Sequence, residues 1–295
     1  MIWRTRRETL DLSRRARVMG ILNVTPDSFS DGGSHFGVEA ALAHAREMIA
    51  QGADIIDVGG ESTRPGSLPV AADEETARTA PVIRALRDEW SGLISIDTSK
   101  ASVAKAALEC GADIVNDVSG LIADPQMADV CASSRCGVVV MHMQGTPQNM
   151  QLAPHYDDVV REVAEFFIER MTSLPARGID PETICFDPGI GFGKTLDQNI
   201  ALLKALDAIT PPGRPLLLGV SRKSCIAGML ESTDIKERDW PTVAITSWAR
   251  QRGVMLHRVH EVRNNLQALR MTEAIIGPTG AIRKLSAEAL PSQRA

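Results

Sequence analysis

The sequence predicts one closed (β/α)8 barrel, read as a single unit over residues 1–295 with its core at about 17–277. Three observations carry that reading. Eight short Val- and Ile-rich runs alternate with longer stretches of helical period. Most of the runs lack strict in–out alternation, as strands covered on both faces do. No Pro/Ser-rich linker interrupts the 295 residues, and although roughly 150 residues per domain would allow two domains, a single barrel commonly exceeds 200. A doubly wound open sheet is the competing architecture. It calls for a Gly-rich turn after the first strand, where Asn23-Val24-Thr25-Pro26-Asp27 stands instead.

The chain opens with six arginines in its first 17 residues, Arg4, Arg6, Arg7, Arg14, Arg15 and Arg17. No apolar stretch follows them, so they do not read as a secretory signal, and Glu8 and Asp11 interrupt an organelle-directing composition. Leu10-Asp11-Leu12 alternates like a short strand, which predicts a small N-terminal hairpin. Strands are expected at residues 18–24, 54–59, 93–98, 113–118, 137–143, 184–188, 215–220 and 254–259. Between them, Val38, Leu42, Ala45 and Ile49 form one helical stripe, Val103, Ala107 and Cys110 a second, and Val160, Val163, Phe167 and Met171 a third. Gly52, Gly111 and Gly253 stand where helices must stop before the next strand. After about residue 277 the tail turns polar, and residues 291–295 are expected to fray.

Composition narrows the function. Hydrophobic residues at 44% and charged residues at 23% exclude a disordered chain. Aromatics at 4% leave the core to aliphatic side chains. A net charge of −5 argues against sequence-independent nucleic-acid binding, which needs a basic footprint. No run of 18 apolar residues is present to span a membrane. Five cysteines with neither CxxC nor zinc spacing read as free thiols in a reducing compartment, hence a cytoplasmic expectation.

Chemistry in such barrels gathers at the carboxyl ends of the strands. There the sequence places Asn23; Glu61 through Gly66; Asp97-Thr98-Ser99-Lys100; Asn116-Asp117; Met141-His142-Met143; Asp187-Pro188-Gly189; Ser221-Arg222-Lys223-Ser224; and Arg258-Val259-His260. Asp97, Asn116 and Asp187 form an acceptor group suited to a flat heterocycle with an N–H edge, because a carboxylate meets such an edge with paired hydrogen bonds. Arg64, Arg222, Lys223, Arg258 and His260 form the opposite group, near the usual phosphate corner of these barrels. Arg258 and His260, two apart on a strand, share a face.

Each residue has a plainer reading. An Asp at a strand end often caps a helix, and single cations are usually solvated. His142 reads as packed, and His257 with His260 lacks the carboxylates of a zinc site. Residues 189–195, GIGFGKT, approach a phosphate loop, but Pro188 occupies its first glycine position. Those glycines are instead expected to let backbone approach a ligand closely. Thr63-Arg64-Pro65-Gly66 reads as a mobile cover loop.

The run from Met19 through Gly33 (MGILNVTPDSFSDGG) resembles the first signature of the dihydropteroate synthase family. Gly59-Gly60-Glu61-Ser62-Thr63-Arg64-Pro65-Gly66, Ile96-Asp97-Thr98, Asn116-Asp117-Val118-Ser119-Gly120, Met141-His142-Met143-Gln144-Gly145, Asp187 through Lys194, Ser221-Arg222-Lys223-Ser224 and Arg258-Val259-His260 resemble the rest, in order, from about Leu10 to Val262. The resemblance implies a transferase of folate biosynthesis that joins 6-hydroxymethyl-7,8-dihydropterin diphosphate to p-aminobenzoate, releasing pyrophosphate. It implies that Asp97, Asn116, Met141, Asp187 and Lys223 hold the pterin, and that Asn23, Arg64, Arg258 and His260 meet the diphosphate. Asn23 would also meet Mg2+. Thr63, Arg64, Pro65, Phe192, Lys223 and Ser224 would frame p-aminobenzoate. Asp97, Lys223 and Arg258 are the implied catalytic residues, and a homodimer is the implied assembly. Glu261 and the Asp239-Trp240-Pro241-Thr242 segment depart from the pattern, the latter beside the implied dimer surface. A pterin-binding methyltransferase domain is the alternative. It would keep the acceptors but have no use for Ser221-Arg222-Lys223 with Arg258 and His260.

Overall fold

The computed structural model describes residues 1–24, 34–230 and 234–277, with backbone alone for residues 34–36. Residues 25–33 of the first signature and the polar tail lie outside the described residues. Strands β1 (Ile2–Arg4) and β2 (Thr9–Asp11) form the N-terminal hairpin, with Trp3 opposite Leu10. Eight parallel strands follow: β3 (Arg17–Asn23), β4 (Ile55–Gly59), β5 (Leu93–Asp97), β6 (Ile114–Asp117), β7 (Gly137–Met141), β8 (Ile184–Asp187), β9 (Leu217–Leu218) and β10 (Leu256–Val259). Their order is β8-β7-β6-β5-β4-β3-β10-β9. The two ends meet, since Phe186 of β8 bridges Leu216 in parallel and its N–H donates to the Pro215 carbonyl at 3.0 Å. The sheet therefore closes as expected. The expected strand at residues 215–220 contracts to two residues, because Pro215 has no N–H to give the ladder and Gly219 no side chain to pack.

Helices α1 (Ser34–Ala50), α2 (Ala72–Glu89), α3 (Ala101–Glu109), α4 (Met127–Ser134) and α5 (Val159–Ala176) cover the first strands. Helices α6 (Leu196–Lys204), α7 (Leu206–Ile209), α8 (Ser224–Leu230), α9 (Asp239–Gln251) and α10 (Val262–Ile276) complete the wrap. The stripes face inward: Leu42, Ala45, Val103, Ala107, Val163 and Phe167 are buried in one continuous core with the strands, and Val38, Ile49, Val160, Cys110 and Met171 pack half-buried against it. Gly52, Gly111 and Gly253 have φ of 98°, 110° and 86°, the left-handed stops the sequence implied. Among the described residues no helix is long and apolar enough to cross a membrane.

The hairpin plugs the amino-terminal end of the barrel. Trp3 is fully buried and its indole N–H donates to the Thr183 carbonyl at 2.7 Å, just before β8. Two of its arginines hold it there: Arg4 pairs with Asp180 and Glu182, and Arg7 with Asp113. One end is thereby given to stability, and the carboxyl ends of the strands remain open for chemistry.

Candidate active site

The strand ladder itself assembles the acceptor group. Gly59 pairs with Asp97, and Asp97 pairs with Asn116, so the last residues of β4 and β5 lie side by side with the penultimate residue of β6. Gly59 projects nothing, which leaves space above Asp57, two residues lower on the same face. Asp57 is fully buried and was not singled out from the sequence. The only cue was an acid inside the otherwise apolar run Ile55-Ile56-Asp57-Val58.

Arg258 of β10 reaches across the mouth. Its Nε donates to Asp57 Oδ2 at 2.6 Å and its Nη2 to Asp97 Oδ2 at 2.6 Å. Asn116 Nδ2 donates to the same Asp57 oxygen at 3.1 Å. Burial works against the charge of Arg258, but Asp57 and Asp97 prevail and hold it above its ordinary range. Burial pushes the Asp97 carboxyl up to about 7, with Arg258 opposing and Asp57 assisting. Asp97 Oδ1 and Asp57 Oδ1 are buried with no hydrogen-bond partner among the described residues.

Asp187, at the end of β8, completes the group. Its Oδ1 accepts the Gly189 N–H at 2.7 Å, and burial raises its carboxyl above the usual range. Lys223 stands opposite, its Nζ 3.8 Å from the centre of the Phe192 ring. Burial lowers the ammonium to about 8, with Asp187 resisting. Asp97, Asn116, Met141, Asp187, Phe192, Lys223 and Arg258 line one slot, which Thr63 closes from the loop after β4. A second cavity of about 450 Å³ adjoins it through Thr63, Asp97 and Val118. It lies under an arch where the Gly66 N–H donates to the Pro147 carbonyl at 3.1 Å. Lys100 spans Glu61 and Glu75 along its wall. The slot, not the roomier cavity, holds the convergent acceptors and cations.

The remaining sequence-chosen residues sit at the rim. His260 Nδ1 lies 2.9 Å from Ser221 Oγ. Burial first, then Arg222, Arg258 and Arg64, lower its imidazole to about 3. Asn23 ends β3 half-buried, whereas Arg64, Pro65 and Ser224 are exposed. Arg222 is not a free cation: its Nε and Nη2 meet the two Asp239 oxygens at 2.7 and 2.9 Å. The Asp239 departure thus anchors the turn that carries Lys223.

The glycines after β8 differ from expectation. A Cβ on Gly189 would stand 1.9 Å from the His142 carbonyl oxygen, and one on Gly193 2.3 Å from that of Gln144. They admit the neighbouring loop's backbone, not a ligand. Lys194 is buried and equally committed, its Nζ 3.0 Å from His142 Nδ1, 3.0 Å from the Gly189 and Phe192 carbonyls and 3.3 Å from that of His142. With every donor occupied it cannot serve a phosphate. His142 is packed as expected, edge-on to Phe166 at 5.1 Å.

A closed barrel with paired carboxylates and cations inside its mouth is the frame of an enzyme that grips a small donor-edged ring. Residues 19–260 match the family described as Pterin binding enzyme. Curated relatives include the dihydropteroate synthases of Synechocystis sp., 45% identical over 90% of this chain and 92% of theirs, and of Escherichia coli, 45% identical over 91% and 94%. Among solved structures, a Yersinia pestis dihydropteroate synthase with a sulfonamide drug complex has a TM-score of 0.87 at 42% identity, covering 93% of this chain and 99% of that one. The Xanthomonas albilineans enzyme in complex with 7,8-dihydropteroate has a TM-score of 0.82 at 42% identity, covering 92% and 97%. The chain belongs to the pterin-binding enzyme family, among its dihydropteroate synthases.

Proposed function

We infer that the barrel mouth condenses 6-hydroxymethyl-7,8-dihydropterin diphosphate with p-aminobenzoate, giving 7,8-dihydropteroate and pyrophosphate. The observation that carries this is the slot in which Asp97, Asn116 and Asp187 face Lys223 and Arg258. One ligand must then offer both a donor edge and an anionic group. Asp187 keeps one oxygen beside Gly219 after its other is used, and Asn116 adds its amide. Lys223, charged at neutral pH, complements the ring's acceptor side.

The reaction breaks the bond from the exocyclic carbon to the diphosphate oxygen and forms one to the aniline nitrogen, which then loses its proton. Asp97 Oδ1, buried without a partner among the described residues, is placed to meet positive charge growing on that carbon. The aniline is neutral at pH 7 and needs no strong base. Phe192, under the Lys223 ammonium, offers the benzoate ring an apolar wall. Thr63, Arg64, Pro65 and Ser224 would frame its carboxylate end. Asn23, Arg64 and His260, with Arg258 behind them, would receive the diphosphate. A neutral His260 gives an N–H rather than a charge.

Among the described residues no three His, Cys, Asp or Glu side chains cluster as metal ligands. The Asn23 amide oxygen, at the end of β3 beside Gly59, is an oxygen donor of the kind Mg2+ takes, and the diphosphate and water would supply the rest of the ion's ligands. When bound, the ion supplies charge neutralisation to the leaving group. Cytoplasmic residence and a homodimer are part of the same reading. All five cysteines are free and four are buried, which supports a reducing compartment.

The test is pyrophosphate release by purified protein with Mg2+. Sustained release is expected only when pterin diphosphate and p-aminobenzoate are both present. Absence of product overturns the reading, and transfer of a methyl group from a methylated pterin would establish the methyltransferase alternative.

A further inference from the structure

We propose that Asp57 is a positioning residue for the pterin: by holding Asn116 and Arg258 on one oxygen, it fixes which atoms the slot presents to the ring. This rests on the assignment of Asn116 and Arg258 to the pterin slot. Asp57 sits in the middle of β4 between Ile56 and Val58, with no exposure to solvent. An apolar side chain would pack there at lower cost, since a buried carboxylate loses its hydration and recovers it only through good partners. Asp57 has two, both on Oδ2: Arg258 Nε at 2.6 Å and Asn116 Nδ2 at 3.1 Å. Its Oδ1 has none. Charge balance alone does not require it, because Asp97 already faces the Arg258 guanidinium.

What Asp57 adds is orientation. A carboxylate only accepts hydrogen bonds, so Asn116 must turn its NH2 toward Asp57, and its carbonyl oxygen is left for the slot. The reversed amide would set oxygen against oxygen at Asp57 and present NH2 in place of an acceptor to the ring's donors. Arg258 is fixed in the same way, with Nε on β4's carboxylate and Nη2 on β5's, so its plane bridges two strands. Three strand ends are thereby locked in one geometry before any ligand arrives.

Three variants test this: Asp57→Asn, Asn116→Asp and the reciprocal double variant D57N/N116D. In D57N the amide now facing Asn116 competes for orientation. Dihydropterin affinity by calorimetry should fall about tenfold or more, with KM for p-aminobenzoate changed less than about twofold. In N116D two carboxylates face each other, and affinity should fall similarly. The double variant restores an NH2-to-carboxylate contact and leaves position 57 an oxygen for Arg258. It should bind dihydropterin at least about threefold more tightly than either single variant, a non-additive recovery that a general loss of packing does not give. Thermal unfolding accompanies each measurement, and N116D against the double variant stands even where D57N fails to accumulate. Parent-like affinity in D57N, or a double variant no better than the weaker single, overturns the proposal. A parent that binds no pterin overturns the functional reading instead. The Asn116 side-chain amide then decides the positioning claim: its proton facing Asp57 should exchange slowly in the parent and rapidly in D57N, and rapid exchange in both overturns it.

Discussion

Asp97 and Lys223 carry the residue-scale consequence of the slot. Burial moves both toward neutrality, the carboxyl up to about 7 and the ammonium down to about 8. On the proposed function, Asp97 would act ionised, to meet the developing cation, and Lys223 protonated, to meet the ring's acceptors. As pH rises through about 7 Asp97 loses its proton and kcat/KM for the pterin diphosphate should climb. As pH passes about 8 Lys223 loses its own and kcat/KM should fall. The profile from pH 5.5 to 9 checks this as a narrow bell, and Asp97→Asn should remove its acidic limb while lowering kcat by about 10²-fold. A flat acidic side in the parent would contradict the assignment. Their place in the slot was legible because Asp97 ends β5, Lys223 stands in the loop after β9, and both belong to recognisable motifs. Asp57 was not, since a lone acid within a strand gives no sign of the side chains it meets from β6 and β10. The separation of Arg258 from the acceptors also dissolved on folding: a strand-end cation reads as free until its carboxylate partners, 161 and 201 residues away, are in place.

At the scale of elements, the loop after β8 shows why pattern and purpose diverge. GIGFGKT has the composition of an anion cradle, yet its lysine and two of its glycines serve the loop after β7. Carbonyl direction decides this, and composition does not encode it. Gly189 has φ of 66° and would place a Cβ 1.9 Å from the His142 carbonyl oxygen. Gly189→Ala therefore combines left-handed strain with a backbone collision and should cost about 3 kcal/mol or more, with weakened pterin binding because its N–H holds Asp187. Gly213 has φ of 77° with open space around it. Gly213→Ala should cost only the conformational penalty, about 1–2 kcal/mol. Urea unfolding of the pair separates the two contributions; equal losses would show that the loop can yield. Strand positions were more legible than loop roles, because an aliphatic run states burial directly. The exception, β9, shortened where Pro215 and Gly219 deny the ladder its donor and its packing.

At the scale of the molecule, closure of the barrel was legible from eight alternations, and what remained was how the outer surface is covered. Helix α10 has a buried inner face at Val262, Asn265, Leu269 and Thr272. Its outer face exposes Met271 at 64% and Ile275 at 74%, four residues apart and therefore on one stripe. Single exposed apolar residues are ordinary, but an apolar stripe left facing water invites burial against another chain. The homodimer proposed above gives that stripe an occupant. Sedimentation of the parent should then report twice the 31.8 kDa chain mass. Ile275→Asp would set charges against each other across a two-fold interface and should shift the population to monomer at micromolar concentration, a loss of about 2–4 kcal/mol in association. The slot is built within one chain from β4 through β10, so the monomeric variant should keep its dihydropterin affinity. A dimer undisturbed by Ile275→Asp would place the interface on another face, and a monomer that loses pterin binding would mean that the second copy helps to hold the mouth in shape.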